Sequence, residues 1–447
     1  MLVLAASITA CGGGNNATRP SNVTAEVADK VATVVKVRWT TAMPSVGYVE
    51  YGATAALGLR TPTETAAATN HEVLLLGLTA DTAYQYRAVT VKGTAAEAGD
   101  VASVRTGNLP LGLPILTTTG AGQAGFIVVP VVGMGVAVVI LNGNGDIVWY
   151  HKDDRKKDFY RARLARDGKS LLYNAAKISG DPAPDSAIVR VAFDGTEVSS
   201  VSIPLLAHDF VEQPDGTLGA LAVEYRDFQG TMIAGNKIVE VAPDGTQRTA
   251  WTSWDCFDPA VIAGDDIEQG WTFANALDYD AAADVYYVGM RNFSSIARVN
   301  RQTRACEWVL GLGAPTLAFS PGAPRFLHQH QFQVRGNHVL LMDNDGAPGN
   351  ASRVLEFELD LAAKTATLVG SFTSSPSVYT FVFGEPLRFE DGSTFINWGA
   401  AGQMERLDPA GTSIWKLNTN VGFAFGFHTL ADSLYAGATL PAGLSGT

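Results

Sequence analysis

Beyond Leu113 the chain repeats a turn-and-strand phrase in two interleaved series of six. In the first, a turn feeds a strand that closes on an apolar residue or Trp. Its copies run from Gly145 to Trp149, Asp194-Gly195 to Val198, Asp244-Gly245 to Trp251, Thr303 to Trp308, Lys364 to Val369 and Gly411 to Trp415. In the second, a turn leads into an apolar strand: Asp167-Gly168 into Leu171, Leu172 and Tyr173, Asp215-Gly216 into Leu218, and Asp284 into Val285, Tyr286 and Tyr287. That series continues with Asn337 into Val339, Leu340 and Leu341, Asp391-Gly392 into Phe395 and Ile396, and Asp432 into Leu434 and Tyr435. Short strands joined by Asp-Gly turns cannot cover their own edges, whereas units set side by side in a ring cover one another. The expected fold is all-β, a six-bladed β-propeller over residues 113–443. A large irregular sandwich would leave the doubled count unexplained.

At 447 residues the chain exceeds what one ordinary domain uses, so a second module is expected ahead of the ring. Residues 17–108 supply it as a small β-sandwich. Val35, Val37 and Trp39 alternate with Lys36 and Arg38, and a second strand, Tyr48-Val49-Glu50-Tyr51-Gly52, follows a Pro-containing turn. Leu78 lies six residues before Tyr84, a spacing similar to the tyrosine corner of fibronectin type III modules. The segment also resembles the N-terminal module of purple acid phosphatases. A spacer or docking role fits it better than catalysis, because His71 is its only imidazole and no carboxylate cluster accompanies it.

Residues 1–16 read as an address. An apolar Met1 to Ala10 stretch ends at Cys11, and Gly12 to Asn16 form a Gly/Asn tether. This resembles the lipobox of bacterial lipoproteins, which implies lipid on Cys11, a periplasmic or surface-exposed position in the cell envelope, and membrane contact through that lipid alone. No other stretch reaches the ~18 apolar residues of a membrane span, since Phe126 to Leu141 is interrupted by Pro130, Gly133 and Gly135. A net charge of −12 argues against nucleic acid as a partner. Cys256 and Cys306 are left, and spacing alone does not decide between a disulfide and two buried thiols.

The start of each innermost propeller strand should meet the others at one mouth of the channel. Counting back seven places from the turns of the second series gives Tyr160, His208 and His330. In the other blades the same place falls on Asn275, on Gly384 or Glu385, and on His428. A second ring, from the far end of the following strand, holds Asn174, Glu224, Arg291, Asp343 or Asn344, and Trp398. Imidazole, guanidinium and carboxamide directed into one pocket suit a tetrahedral oxyanion such as sulfate or phosphate. No metal is expected, because no nearby Asp or Cys gives His328 and His330 zinc-type ligand spacing. The chain also lacks a Gly-Xaa-Ser-Xaa-Gly elbow and a Walker-type loop, so serine-hydrolase and nucleotide chemistry have no support.

The segment His208-Asp209-Phe210-Val211-Glu212-Gln213-Pro214-Asp215-Gly216 resembles the His-Asp-Phe segment of bacterial arylsulfate sulfotransferases. Asn275-Ala276-Leu277-Asp278-Tyr279-Asp280 and Arg291-Asn292-Phe293-Ser294-Ser295-Ile296 are similar to a further pair of motifs in that family. Gln329-His330-Gln331-Phe332-Gln333, running into Leu340-Leu341-Met342-Asp343-Asn344, resembles its nucleophile-bearing strand. The resemblance implies transfer of a sulfuryl group from a phenolic sulfate ester to a phenol through a sulfohistidine, with neither a nucleotide donor nor a cofactor. It makes His330 the nucleophile and sets His208, Arg291 and Asn275 on the sulfonyl oxygens. Tyr160, Phe273, Asn344, Glu385 and His428 would then line the substrate. Members usually carry a His where this chain has Phe273, so either His428 substitutes across the channel or activity is weakened, altered or lost. The competing expectation is a catalytically impaired propeller serving as a tethered binding or scaffold protein. Homo-oligomerisation is left open.

Overall fold

A computed structural model describes residues 16–123, 125–133, 137–155, 157–177, 185–260, 270–346 and 351–437. The Met1 to Cys11 stretch, with the expected lipidation site, lies outside the described residues. Among those residues regular structure is β-strand with a few 3-10 turns, and no helix is long and apolar enough to cross a membrane. The chain divides into two compact units, residues 1–28 with 32–108 and residues 29–31 with 109–447.

The smaller unit is a curled seven-stranded sheet organised by one long strand, Val35–Gly52. Its first half pairs with Ser21–Val27 and Ala68–Leu75, and its second half with Ala83–Lys92. Curling brings Val35, Val37 and Trp39 of the first half against Val49, Tyr51, Tyr84 and Tyr86, so the alternation in the sequence becomes one buried face. The Tyr84 hydroxyl accepts the Thr79 N–H at 3.0 Å and ties the corner. His71 is buried, stacked on Trp39 and bonded to Glu64 at 2.6 Å.

The larger unit is a ring of six antiparallel sheets. Blades one to five follow the chain over residues 158–202, 206–252, 274–311, 332–372 and 385–419. Each begins at the axis, as Asp158–Leu164 does in blade one, and ends at the rim. The Asp-Gly turns are built as their chemistry requires. In the two that start at Asp194 and Asp215, the Asp side chain accepts the N–H two residues on, while Gly195 and Gly216 take φ near 85°, where a side chain would be strained. Trp149, Trp251, Trp308 and Trp415, which close four copies of the first phrase, are buried, the last three on the fourth strand of their blades and Trp149 on the outermost strand of blade six.

Blade six departs from the expected phrasing. Its inner strands are Phe423–Phe425 and Thr429–Ala431, but both pair with Phe126–Gly133, which continues into Ala137–Asn142 and Ile147–Lys152. The expected sixth copy, Asp432 into Leu434 and Tyr435, forms no strand. The second strand there comes from the beginning of the ring, so the chain needs no hairpin after Ala431. A further seal is Leu116–Gly120, which adds to the rim of blade five beside Ser413–Thr419. Between blades two and three, Cys256 and Cys306 form a disulfide with Cα atoms 5.9 Å apart, which answers the question the sequence left open.

Candidate active site at the propeller axis

The six blades each bring a residue to one place. Tyr160 of blade one lies 5.4 Å, ring to ring, from His208 of blade two, and His208 lies 4.9 Å from Phe273, which directly precedes the first strand of blade three. Tyr160 also meets Phe383, which leads into blade five, at 5.8 Å. Phe383 meets Phe427 of blade six at 5.5 Å, and Phe427 meets His330 of blade four at 6.3 Å. Arg291 reaches in from the turn after Val285–Met290 and sets its guanidinium carbon 5.8 Å from the centre of the Phe273 ring. Its backbone N–H donates to the Phe273 carbonyl, holding that residue at a φ of 46° that aromatic residues seldom adopt.

Hydrogen bonding fixes the protonation of His330. The Asn344 amide donates both of its hydrogens, to the carbonyls of Thr380 at 2.8 Å and Phe383 at 3.0 Å. Its Oδ1 is thereby left facing His330 Nδ1 at 2.9 Å, so Nδ1 carries the hydrogen and Nε2 the bare lone pair. Burial is the main reason that the His330 pKa falls to about 3. The bond to Asn344 opposes that shift, and the neighbouring His208 and Arg291 add to it. At neutral pH the ring is uncharged, with its acceptor side already chosen.

His208 is buried too, and its pKa also falls to about 3, through desolvation first and Arg291 second, against a bond to the Ala274 backbone. Its Nδ1 has no partner among the described residues. Asn275 donates to the Gln329 carbonyl at 2.8 Å, immediately before His330, and its buried Oδ1 has no donor there. Two such orphaned buried polar atoms are costly in a folded protein unless something binds against them.

One residue further along these strands the chemistry changes from pocket to plug. Arg161, next to Tyr160, donates to Asp209 at 2.9 Å and to both oxygens of Glu385 at 3.0 Å. Asp209, next to His208, also accepts from Gln331 at 2.6 Å and from the Leu277 N–H at 3.0 Å. Burial pushes Glu385 up, but Arg161 and His428 outweigh it and hold the carboxyl at about 2. With the His428 backbone, which donates to Glu385 and accepts from Arg161, this network joins all six blades across the axis, and the opposed charges are how a buried ionic cluster is tolerated.

Two expected substrate-binding residues therefore sit in the plug. Glu385 is spent on Arg161. His428 is buried with Nδ1 3.0 Å from a Glu385 oxygen, without an aligned hydrogen bond, and its ring packs on Phe395. His428 is thus not placed to stand in for the imidazole that Phe273 lacks. Phe427 and Phe383 hold the places expected of His428 and of Gly384 or Glu385. In blade six no hairpin follows the inner strands, so there was no turn from which to count back. Asn344 orients His330, and Asn174 spans blades one and two by donating to the Ala207 and His208 carbonyls. Glu224 bonds Thr252, and Trp398 is core that donates to Glu405. The Arg161–Asp209–Glu385 plug was missed, although a signal existed: its charged residues each directly follow a counted-back position.

Among the described residues no group of three or more His, Cys, Asp or Glu could hold a metal ion. No curated protein matches the chain. Solved structures that resemble it include a periplasmic gluconolactonase of Pseudomonas aeruginosa, 12% identical over 88% of this chain and 100% of that one, with a TM-score of 0.39. Another is virginiamycin B lyase from Staphylococcus aureus, 10% identical over 74% of this chain and 92% of that one, with a TM-score of 0.38. The model of the arylsulfotransferase (ASST) family, by contrast, matches residues 133–429, from the second strand of blade six through the whole ring to its closing strand. The propeller that gathers His208, Arg291 and His330 at its axis is the part so matched, and the chain belongs to the arylsulfotransferase family.

Proposed function

We propose that the protein transfers a sulfuryl group from a phenolic sulfate ester to a phenol, with His330 as the covalent carrier. The observation that carries this reading is the state of His330: a neutral ring, Nδ1 committed to Asn344, and the Nε2 lone pair beside the Arg291 charge. Nε2 attacks sulfur, the S–O bond to the aryl group breaks, and the electron pair leaves on the phenolate oxygen. The resulting N-sulfo imidazolium keeps its Nδ1 hydrogen bond to Asn344. A second phenol oxygen then attacks sulfur, the S–N bond breaks and the neutral ring returns. Splitting the displacement in two lets one site serve donor and acceptor in turn.

Arg291 supplies forked donors for the sulfonyl oxygens, and its charge opposes the negative charge of the ester. His208 is neutral in the empty site, but a sulfate monoanion against it favours the protonated ring, which then donates from Nδ1. Phe273 and Tyr160 present aromatic surface to the phenyl rings. In this reading the smaller unit is a fibronectin type III-like spacer, supported by the Tyr84 corner, and the protein is lipid-tethered through Cys11 in a bacterial envelope. The Cys256–Cys306 disulfide suits that oxidising compartment.

Incubation with an aryl sulfate, followed by intact mass measurement, tests the reading. The expected result is a single added sulfuryl group that disappears on addition of a phenol and is absent from His330→Ala. Absence of both adduct and phenol release in the unaltered protein would overturn it.

A further inference from the structure

Transfer between phenols needs a proton donor for the departing phenolate and an acceptor for the entering phenol. The groups already described serve this poorly. Phe273 has no proton to give, and His208 and His330, with pKa values near 3, are uncharged at neutral pH in the empty site and carry no imidazolium proton to transfer. His428 is tied into the axial plug.

A different imidazole lies two residues from the nucleophile. His328 Nδ1 lies 2.6 Å from Asp345 Oδ2, and the Tyr379 hydroxyl donates to Asp345 Oδ1 at 2.8 Å, so both carboxylate oxygens are held. With Nδ1–H on the carboxylate, Nε2 is the nitrogen left over, and it has no partner among the described residues. The His328 side chain is 24% exposed, in contrast to the closed rings of His208 and His330. The backbone is forced to place it there. His328 has a φ of 52°, its N–H donates to Ser294 Oγ at 3.0 Å, and the Asp345 N–H bonds the Leu327 carbonyl at 3.2 Å. A non-glycine residue in this conformation costs energy, and such strain gathers where orientation matters. Ser294, which pins it, lies three residues after Arg291, and the Arg291 charge acts on Tyr379 as well as on His330. The dyad is thereby tied by Ser294 to the segment that carries Arg291.

We propose that His328, held by Asp345 and Tyr379, is the general acid and base of the sulfuryl transfer. The inference rests on the reading given under Proposed function and supplies the proton route it lacks. In the first half-reaction His328 Nε2–H gives its proton to the aryl oxygen as the S–O bond breaks, while Asp345 holds the ring through Nδ1–H. In the second half-reaction the neutral ring takes the proton of the entering phenol as its oxygen bonds sulfur. One proton leaves and one returns, so the enzyme is restored without another reactant. The charged and titratable groups around the dyad are Asp345, Tyr379 and Arg291, with the Asp343–Arg353 pair behind Leu327.

The test compares two donors in His328→Gln. Phenyl sulfate releases a strongly basic phenolate that needs the proton, whereas 4-nitrophenyl sulfate releases a weakly basic one that does not. Formation of the sulfuryl adduct on His330 should slow by about 10²–10³-fold with phenyl sulfate and only a few-fold with 4-nitrophenyl sulfate. Asp345→Asn should slow formation of the adduct with the same donor preference. Equal losses with both donors, or none with either, in a variant that still forms the adduct would overturn the role of His328 and leave the nucleophile standing. Failure of the unaltered protein to form any adduct would instead bring down the parent reading and this inference together.

Discussion

His208 and His330 have ordinary side chains and extraordinary surroundings. A free imidazole titrates near 6.5, whereas both of these fall to about 3 because burial penalises the charged ring. The sign of the consequence follows from proton counting. Between about pH 3 and 6.5 the unfolded chain binds protons at these two positions that the folded chain refuses, so stability rises with pH in that window and falls on acidification. Each ring contributes at most ~1.4 kcal/mol per pH unit. Thermal unfolding of the double variant His208→Gln with His330→Gln should therefore show a shallower loss of Tm from pH 6.5 to 4.5 than the unaltered protein. Parallel slopes would mean that the rings are not held neutral. The buried charges of the plug have the opposite character: Arg161 stays charged despite burial because Asp209 and Glu385 face it.

At the scale of elements, adjacent blades are joined by different chemistry at different radii. Near the axis, carboxamides do it: Asn174, Asn344 and Asn397 each donate to carbonyls in the chain leading into the next blade. At the rim of blades two and three a disulfide does it, closing a loop between residues separated by 50 positions. Constraint of the unfolded chain by such a loop is worth about 2–4 kcal/mol. The double variant Cys256→Ala with Cys306→Ala should accordingly unfold at a lower denaturant concentration while keeping the transfer activity proposed for the axial site, since neither residue is part of it. An unchanged midpoint would show that the bond adds nothing to the folded state. The hairpins inside each blade were legible because Asp-Gly turns and apolar alternation are local signals. The carboxamide joints were not, because an Asn that spans blades looks in sequence like an Asn that caps a turn.

For the whole molecule, closure decides stability. Blade six takes its inner strands from residues 423–431 and the rest from residues 126–152, and Leu116–Gly120 laps onto blade five. Neither end of the ring is complete alone, so the fold should be cooperative across the full circumference. A chain ending at Asn420 would lose Phe427 and expose one edge of Phe126–Gly133, a strand that is mostly buried. It should fail to show a single sharp thermal transition. A sharp transition at the temperature of the full chain would mean that five blades suffice.

By itself the sequence determined the class of fold, the number of blades and the positions of Tyr160, His208 and His330, because turns and strand alternation are written within a few residues of one another. It also carried, around His208, Asn275, Arg291 and His330, the segments whose resemblance pointed to the family that residues 133–429 match. Only the tertiary structure decided that Cys256 meets Cys306, that His428 and Glu385 belong to an axial ionic plug, and that Phe427 and Phe383 take the places expected of them at the site. The same holds for the tautomer of His330, which depends on an amide 14 residues away whose hydrogens are claimed by carbonyls of the next blade. These facts depend on distances between segments far apart in the chain. Closure of the ring sets those distances, and no local pattern encodes them.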